Sequence, residues 1–227
     1  MKNTILLLLT SFLTWNASAQ DRQLLAFKTI SVQGRMHVDI VPGTAYHMET
    51  IAQSTDIDLN KLSLTYKGEE LVIKYSGGSL KNLQLNLVVH VPELSGIEAR
   101  QGAMIKVDPK LSLKGAKVYL RAFAGSTIYA DVNADWAEFR IDQGGDIFAT
   151  GTIGQLESRV TTGGNIYAAK IQCKRASAEV KFGGYIDVNT TDALEATVTS
   201  GGTIRYKGSG QVIEKISLGG KIEKMQG

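Results

Sequence analysis

The chain has 227 residues with 25 basic and 22 acidic side chains, a net charge of +3 and a single cysteine. That length admits one domain or two small ones with a sizeable buried core. The near balance of charge gives no electrostatic reason for binding nucleic acid, and one cysteine excludes an internal disulfide, so stability has to come from burial and backbone pairing.

The first segment reads MKNTILLLLTSFLTWNASAQ, with one positive charge at Lys2, an apolar run over residues 5–13 and the small residues Ala17, Ser18 and Ala19. These are the three parts of a secretory signal peptide, with cleavage expected between Ala19 and Gln20. The apolar run is too short for a hydrocarbon core that needs about 20 residues. The mature chain is therefore expected to be exported, to the periplasm, the cell surface or the medium, and to carry no transmembrane segment. Removing residues 1–19 removes Lys2 alone among charged residues and leaves 24 basic against 22 acidic side chains.

Residues 20–95 form a β-rich region by their alternation. ISVQGRMHVDIV places Met36, Val38 and Ile40 on one face; LSLTYKGEELVIKY reads as a hairpin turning at 67–70; LQLNLVVHVP alternates through Leu83, Leu85, Leu87, Val89 and Val91 before Pro92 interrupts it. Such strands are expected to cover the open end of the repeats that follow, because an uncovered end offers unpaired backbone to other chains.

Residues 96–227 repeat. Gly102, Gly125, Gly144, Gly163, Gly183, Gly201 and Gly219 recur 18 to 23 residues apart, each followed by a small residue and then, three positions after the glycine, by Ile105, Ile128, Ile147, Ile166, Ile186, Ile204 or Ile222. Ahead of each turn the pattern has period two, with Ala99, Ala122, Ile141, Val160, Val180, Val198 and Ile216 on the inward face. Each repeat is thus a strand, a glycine turn, a second strand and a polar connection. A circuit of 19 residues at about 3.3 Å each measures roughly 60 Å, which fits one rung of a parallel β-helix; a propeller blade takes about 40 to 45 residues. At the C-terminal end GGKIEKMQG adds Lys221, Glu223 and Lys224, charge of the kind that guards an open end.

The segments GGDI, GGNI, GGYI and GGTI, following a signal peptide and the stretch LVVHVPELSGIEARQGAMI, resemble those of exported bacterial proteins described as putative auto-transporter adhesins with a head GIN domain. The resemblance runs over about residues 24–224. It implies a right-handed parallel β-helix and a binding or adhesive role at the cell envelope, and it brings no catalytic residues.

Candidate sites follow from the outward positions. The residue after each repeated isoleucine faces out, which stacks Tyr129, Phe148 and Tyr167 as a ladder beside Asp146 and Asn165. Aromatic surface beside hydrogen-bonding groups suits a sugar ring; the plainer reading is that the ladder only steadies stacked strands. A second column, Arg121, Arg140 and Arg159, could await an anionic ligand such as an acidic glycan. Its plainer reading is charge compensation by Glu98, Glu138, Glu157 and Glu179.

Asp142 and Asp146 flank one turn as the one carboxylate pair that a polysaccharide lyase or glycoside hydrolase could use. His37, His47 and His90 show no metal-ligand spacing, and no cofactor motif is present. Cys173 reads as a small buried core thiol. The sequence thus points to a non-catalytic envelope protein that binds a glycan or another protein, with a structural or assembly component of the envelope as the alternative.

Overall fold

The computed structural model describes residues 20–52, 57–77 and 85–226; the export segment and Leu83 lie outside the described residues. The glycine turns set its geometry, and the two positions of a pair are glycine for different reasons. At Gly163 the backbone has φ +64° with open space where a Cβ would stand, so only the left-handed conformation is demanded. At Gly164 φ is +99°, and a Cβ would also sit 2.6 Å from Ile141 Cγ2 and 2.7 Å from the carbonyl oxygen of Gly145 in the adjacent rung.

Earlier turns are built differently, with Gln101 and Ala124 taking the left-handed conformation just before Gly102 and Gly125. Gln143 does the same before Gly144 and is still followed by Gly145; at the first two turns the second position holds Ala103 and Ser126. The fully buried Ser126 hydroxyl donates to the Phe123 carbonyl at 2.8 Å and accepts from the Gly102 amide at 3.2 Å, closing the turn that it occupies.

Between turns the chain runs as long strands: β8 (Gly96–Arg100), β9 (Met104–Val107), β10 (Ser112–Phe123), β11 (Ser126–Asp142), β12 (Gly145–Thr162), β13 (Asn165–Phe182), β14 (Tyr185–Ser200), β15 (Thr203–Gly208), β16 (Gln211–Leu218) and β17 (Lys221–Lys224). Every neighbouring pair is parallel, and the segment before each glycine turn stacks on its counterpart before the next. The protein is a parallel β-solenoid of glycine-turned rungs. The isoleucines align in one unbroken column from Ile105 to Ile222, and all from Ile105 to Ile204 are fully buried. Cys173 is buried, its thiol donates to the Arg175 carbonyl, and burial raises its pKa to about 11.

Strands before residue 96 are of two kinds. β2 (Thr29–Gln33) and β3 (His37–Pro42) flank a turn at Gly34 and pair in parallel with β8 and β9, so they form a further rung of the same stack. β6 (Glu70–Tyr75) and β7 (Leu85–Val91) pair in parallel with β2 and β3 and make the rung beyond. Chain order is therefore not stack order: the rung made first lies between the two made after it. The isoleucine column continues through Val38 and Leu87, which carry no glycine-pair signature.

Parallel pairing ends there. β5 (Leu62–Lys67) forms the expected hairpin with β6, β4 (His47–Ala52) runs antiparallel to β7, and β1 (Gln20–Gln23) runs antiparallel to β4.

At the opposite end the inward positions of β16 lose their cover. Ile216 aligns with the fully buried Val198, yet is 49% exposed; Leu218 stands in the column of Ser200 and the exposed Phe182. Inside, the column through Leu120 and Phe139 continues into Ser158, Ala178 and Ala196. The Ser158 hydroxyl is buried without a hydrogen-bond partner.

Two substitutions test this packing in opposite directions. Ile166→Asp places an unpaired charge in the column and should cost several kcal/mol, enough to prevent folding of a domain of ordinary stability. Ser158→Ala removes an unsatisfied hydroxyl and should raise stability by up to about 1 kcal/mol. Urea unfolding followed by circular dichroism measures both; an Ile166→Asp protein as stable as the parent would mean that the register is wrong.

Candidate functional site

The aromatic ladder forms where the solenoid register places it. Tyr129 aligns with Phe148 and Phe148 with Tyr167, each on the strand segment that follows a glycine turn. Ring centroids are 4.7 and 4.6 Å apart with interplanar angles of 6° and 10°. Rings lying flat on the sheet could not approach so closely, since an aromatic ring is wider than the ~4.8 Å strand spacing. The three rings therefore stand on edge and spend their faces on one another. They show solvent their edges, and the face of Tyr129 away from Phe148 is followed in register by Lys106 rather than by a ring.

A groove of about 580 Å³ runs beside the ladder, lined by Lys106, Pro109, the three rings and Lys170 among others. Tyr129 is 38% exposed in it. Among the described residues neither Lys106 nor Lys170 has an ion-pair partner. Asp131, also in the groove, is already engaged by Ser112, by Thr150 at 2.8 Å and by Asn133 at 3.2 Å.

Asp187 takes the next place in the ladder column, aligned with Tyr167, and it does different work. β13 carries one extra residue against β12, a bulge between Tyr167 and Lys170 that leaves two amides in need of acceptors. The buried Asp187 Oδ1 accepts from the amides of Ala168 and Ala169, both at 2.5 Å. Burial pushes its carboxyl above the ordinary range, while those two amides, the Tyr185 hydroxyl and Arg205 pull it back. This role has no signature in the sequence, where Asp187 is one more polar residue after a repeated isoleucine.

The other sequence candidates separate into groups. Asp146 and Asn165 stand beside the ladder but answer each other, Asn165 Nδ2 donating to Asp146 Oδ1 at 2.7 Å. Arg121, Arg140 and Arg159 do align as a column, on the strand segments before the glycine turn and so on a different face from the ladder. Each is matched by a carboxylate: Arg121 with Glu138 at 2.6 Å, Arg140 with Asp142 at 2.8 Å, and Arg159 with Glu179 at 2.6 Å and Glu157 at 3.6 Å. Asp142 and Asp146 are thus tied to Arg140 and to Asn165 respectively. Among the described residues the one trio able to hold a metal is His47, Glu49 and His90, on β4 and β7. No described helix is long and apolar enough to cross a membrane.

The parallel solenoid fold is shared with solved bacterial proteins. A putative adhesin from Bacteroides fragilis superposes with a TM-score of 0.80 at 17% identity, over 91% of this chain and 96% of that one. A putative adhesin from Parabacteroides distasonis gives 0.70 at 21% identity, over 92% and 96%. A putative lipid binding protein from the same species gives 0.69 at 19% identity, over 93% and 98%. No curated protein matches. The sequence profile of the family described as "Putative auto-transporter adhesin, head GIN domain" matches residues 26–210, and the chain belongs to that family.

Asp187 offers a direct test of the bulge that shapes the groove. Asp187→Ala leaves the buried Ala168 amide and the part-buried Ala169 amide without this acceptor and should cost about 2–3 kcal/mol, whereas Asp187→Asn keeps one acceptor oxygen and should cost less. Equilibrium unfolding of the two variants measures the difference; equal stability of parent and Asp187→Ala would show that the bulge does not depend on the carboxylate.

Proposed function

We propose that this protein is an exported, non-catalytic binding module of the cell envelope, and that its ligand lies in the groove beside Tyr129, Phe148 and Tyr167. The observation that carries the proposal is the contrast between two outward columns. The arginine column is neutralised by its own carboxylates, whereas the ladder groove keeps an exposed aromatic surface and two lysines without partners. Adhesive roles in the names of family and neighbours agree with this reading.

A glycan bearing carboxylate, sulfate or phosphate groups is the ligand that fits first. Sugar units can run along the exposed ring edges, Tyr129 the most exposed of them, with Lys106 and Lys170 as counter-charges. A segment of an envelope protein is the second candidate. An assembly role draws on a separate observation, the exposed Ile213, Ile216 and Leu218 at the end of the stack; there the ladder would be dispensable for association.

A glycan array probed with the mature protein, with acidic and neutral glycans side by side, tests the reading. Changing Tyr129, Phe148 and Tyr167 together to Ser should abolish binding to the glycans that the parent selects and leave a β-type circular dichroism spectrum. Lys106→Ala and Lys170→Ala should weaken acidic ligands selectively. Unchanged binding by a folded triple variant removes the ladder from the site.

A further inference from the structure

Beyond the Lys106 end of the groove, across β3, a second set of side chains has the composition of a metal site. His47 and His90 lie directly opposite each other on the antiparallel strands β4 and β7. Opposed residues of such a pair bring their side chains within about 5 Å, and Glu49, two residues along β4, shares their outward face. The two imidazoles stack with centroids 3.9 Å apart at 11°. That places His90 Nε2 3.0 Å and His47 Nε2 3.7 Å from the same Glu49 Oε1. All three donor atoms lie within 4.8 Å of one another. Sequence spacing hides the set, because Glu49 and His90 are 41 residues apart and meet only through strand pairing.

We propose that His47, His90 and Glu49 bind one divalent first-row transition ion, with Zn2+ as the ion of choice. Two imidazole nitrogens and a carboxylate are the ligand types that zinc takes, and they disfavour the all-oxygen cations calcium and magnesium. Ligand atoms about 2.1 Å from a tetrahedral ion are about 3.4 Å apart, and the two measured separations fall on either side of that value. The stacked rings aim their in-plane lone pairs side by side, so binding requires each imidazole to turn by roughly 50° out of the stack until both lone pairs converge on an ion about 2.1 Å away. All three side chains are partly exposed, so an ion can enter from solvent and keep water in its remaining position. Asp21 stands in register with Glu49 on β1 and adds negative charge beside the site. The ion would clasp β4 to β7, where parallel stacking gives way to antiparallel strands.

Isothermal titration of the untagged chain with zinc chloride tests this. One ion per chain is expected, and His47→Ala, His90→Ala and Glu49→Gln should each weaken binding by roughly tenfold or more. Zinc should raise the thermal midpoint of the parent but not of the histidine variants, and Co2+ should give the visible band of a four-coordinate site in the parent alone. If an alanine variant loses its β-type circular dichroism, His47→Gln and His90→Gln take its place. Absence of saturable binding by the parent, or equal binding by folded histidine variants, overturns the proposal and leaves a stacked histidine pair of which His90 is hydrogen-bonded to Glu49.

Discussion

The structure rests on how closely one turn can pass the turn of the next rung. Backbone pairing holds parallel strands about 4.8 Å apart, and every rung must change direction within that clearance. Where the second glycine of a pair stands against the neighbouring carbonyl, as Gly164 does against Gly145, no side chain fits and no L-residue is at ease with the dihedrals. Once the turns are fixed, the register is fixed with them. Ile147 must lie against Ile166, and Phe148 must lie against Tyr167.

Strict register is also why outward positions act as columns. Any residue type repeated at one position is forced into contact with its own kind, whether or not the contact is favourable. Rings gain from it and stack face to face. Arginines one rung apart repel, and the chain answers with a carboxylate for each of them. The ladder stops at Asp187 because a bulge in the adjoining strand needs an acceptor more than the column needs another ring.

Much of this was legible in the sequence, since the glycine pairs, the isoleucines and the period-two alternation all report on the same constraint. The register from Ile105 to Ile222 and the three-ring ladder could be written down from spacing alone. The parts that could not be read lack that periodicity. β2 and β3 form a rung around Gly34 without a glycine pair, and their place between two later rungs follows from pairing across residues distant in the chain. Spacing placed the rings but not their tilt, so flat aromatic surface was expected where edges are found. Compensation of the arginines was expected from Glu98, Glu138, Glu157 and Glu179; the structure pairs Arg121 with Glu138 and Arg159 with Glu179 and Glu157, while Arg140 takes Asp142 and Glu98 pairs with Arg100. His47 and His90, unremarkable in sequence, meet because β4 and β7 run in opposite directions.

The same column logic separates the two cationic surfaces. Two unit charges at about 5 Å repel by about 3 kcal/mol at an effective dielectric of about 20, so three stacked arginines without carboxylates would erode a stability of ordinary size. Neutralising them leaves that face little charge to offer a ligand. Lys106 and Lys170 escape the constraint because they stand on β9 and β13, with β11 and β12 between them, and in different columns. They cost little mutual repulsion and can stay unpaired. Neither lysine has a like charge beside it in register, since Lys106 aligns with Asp39 and Tyr129 and Lys170 with Thr150, and the groove can therefore keep both.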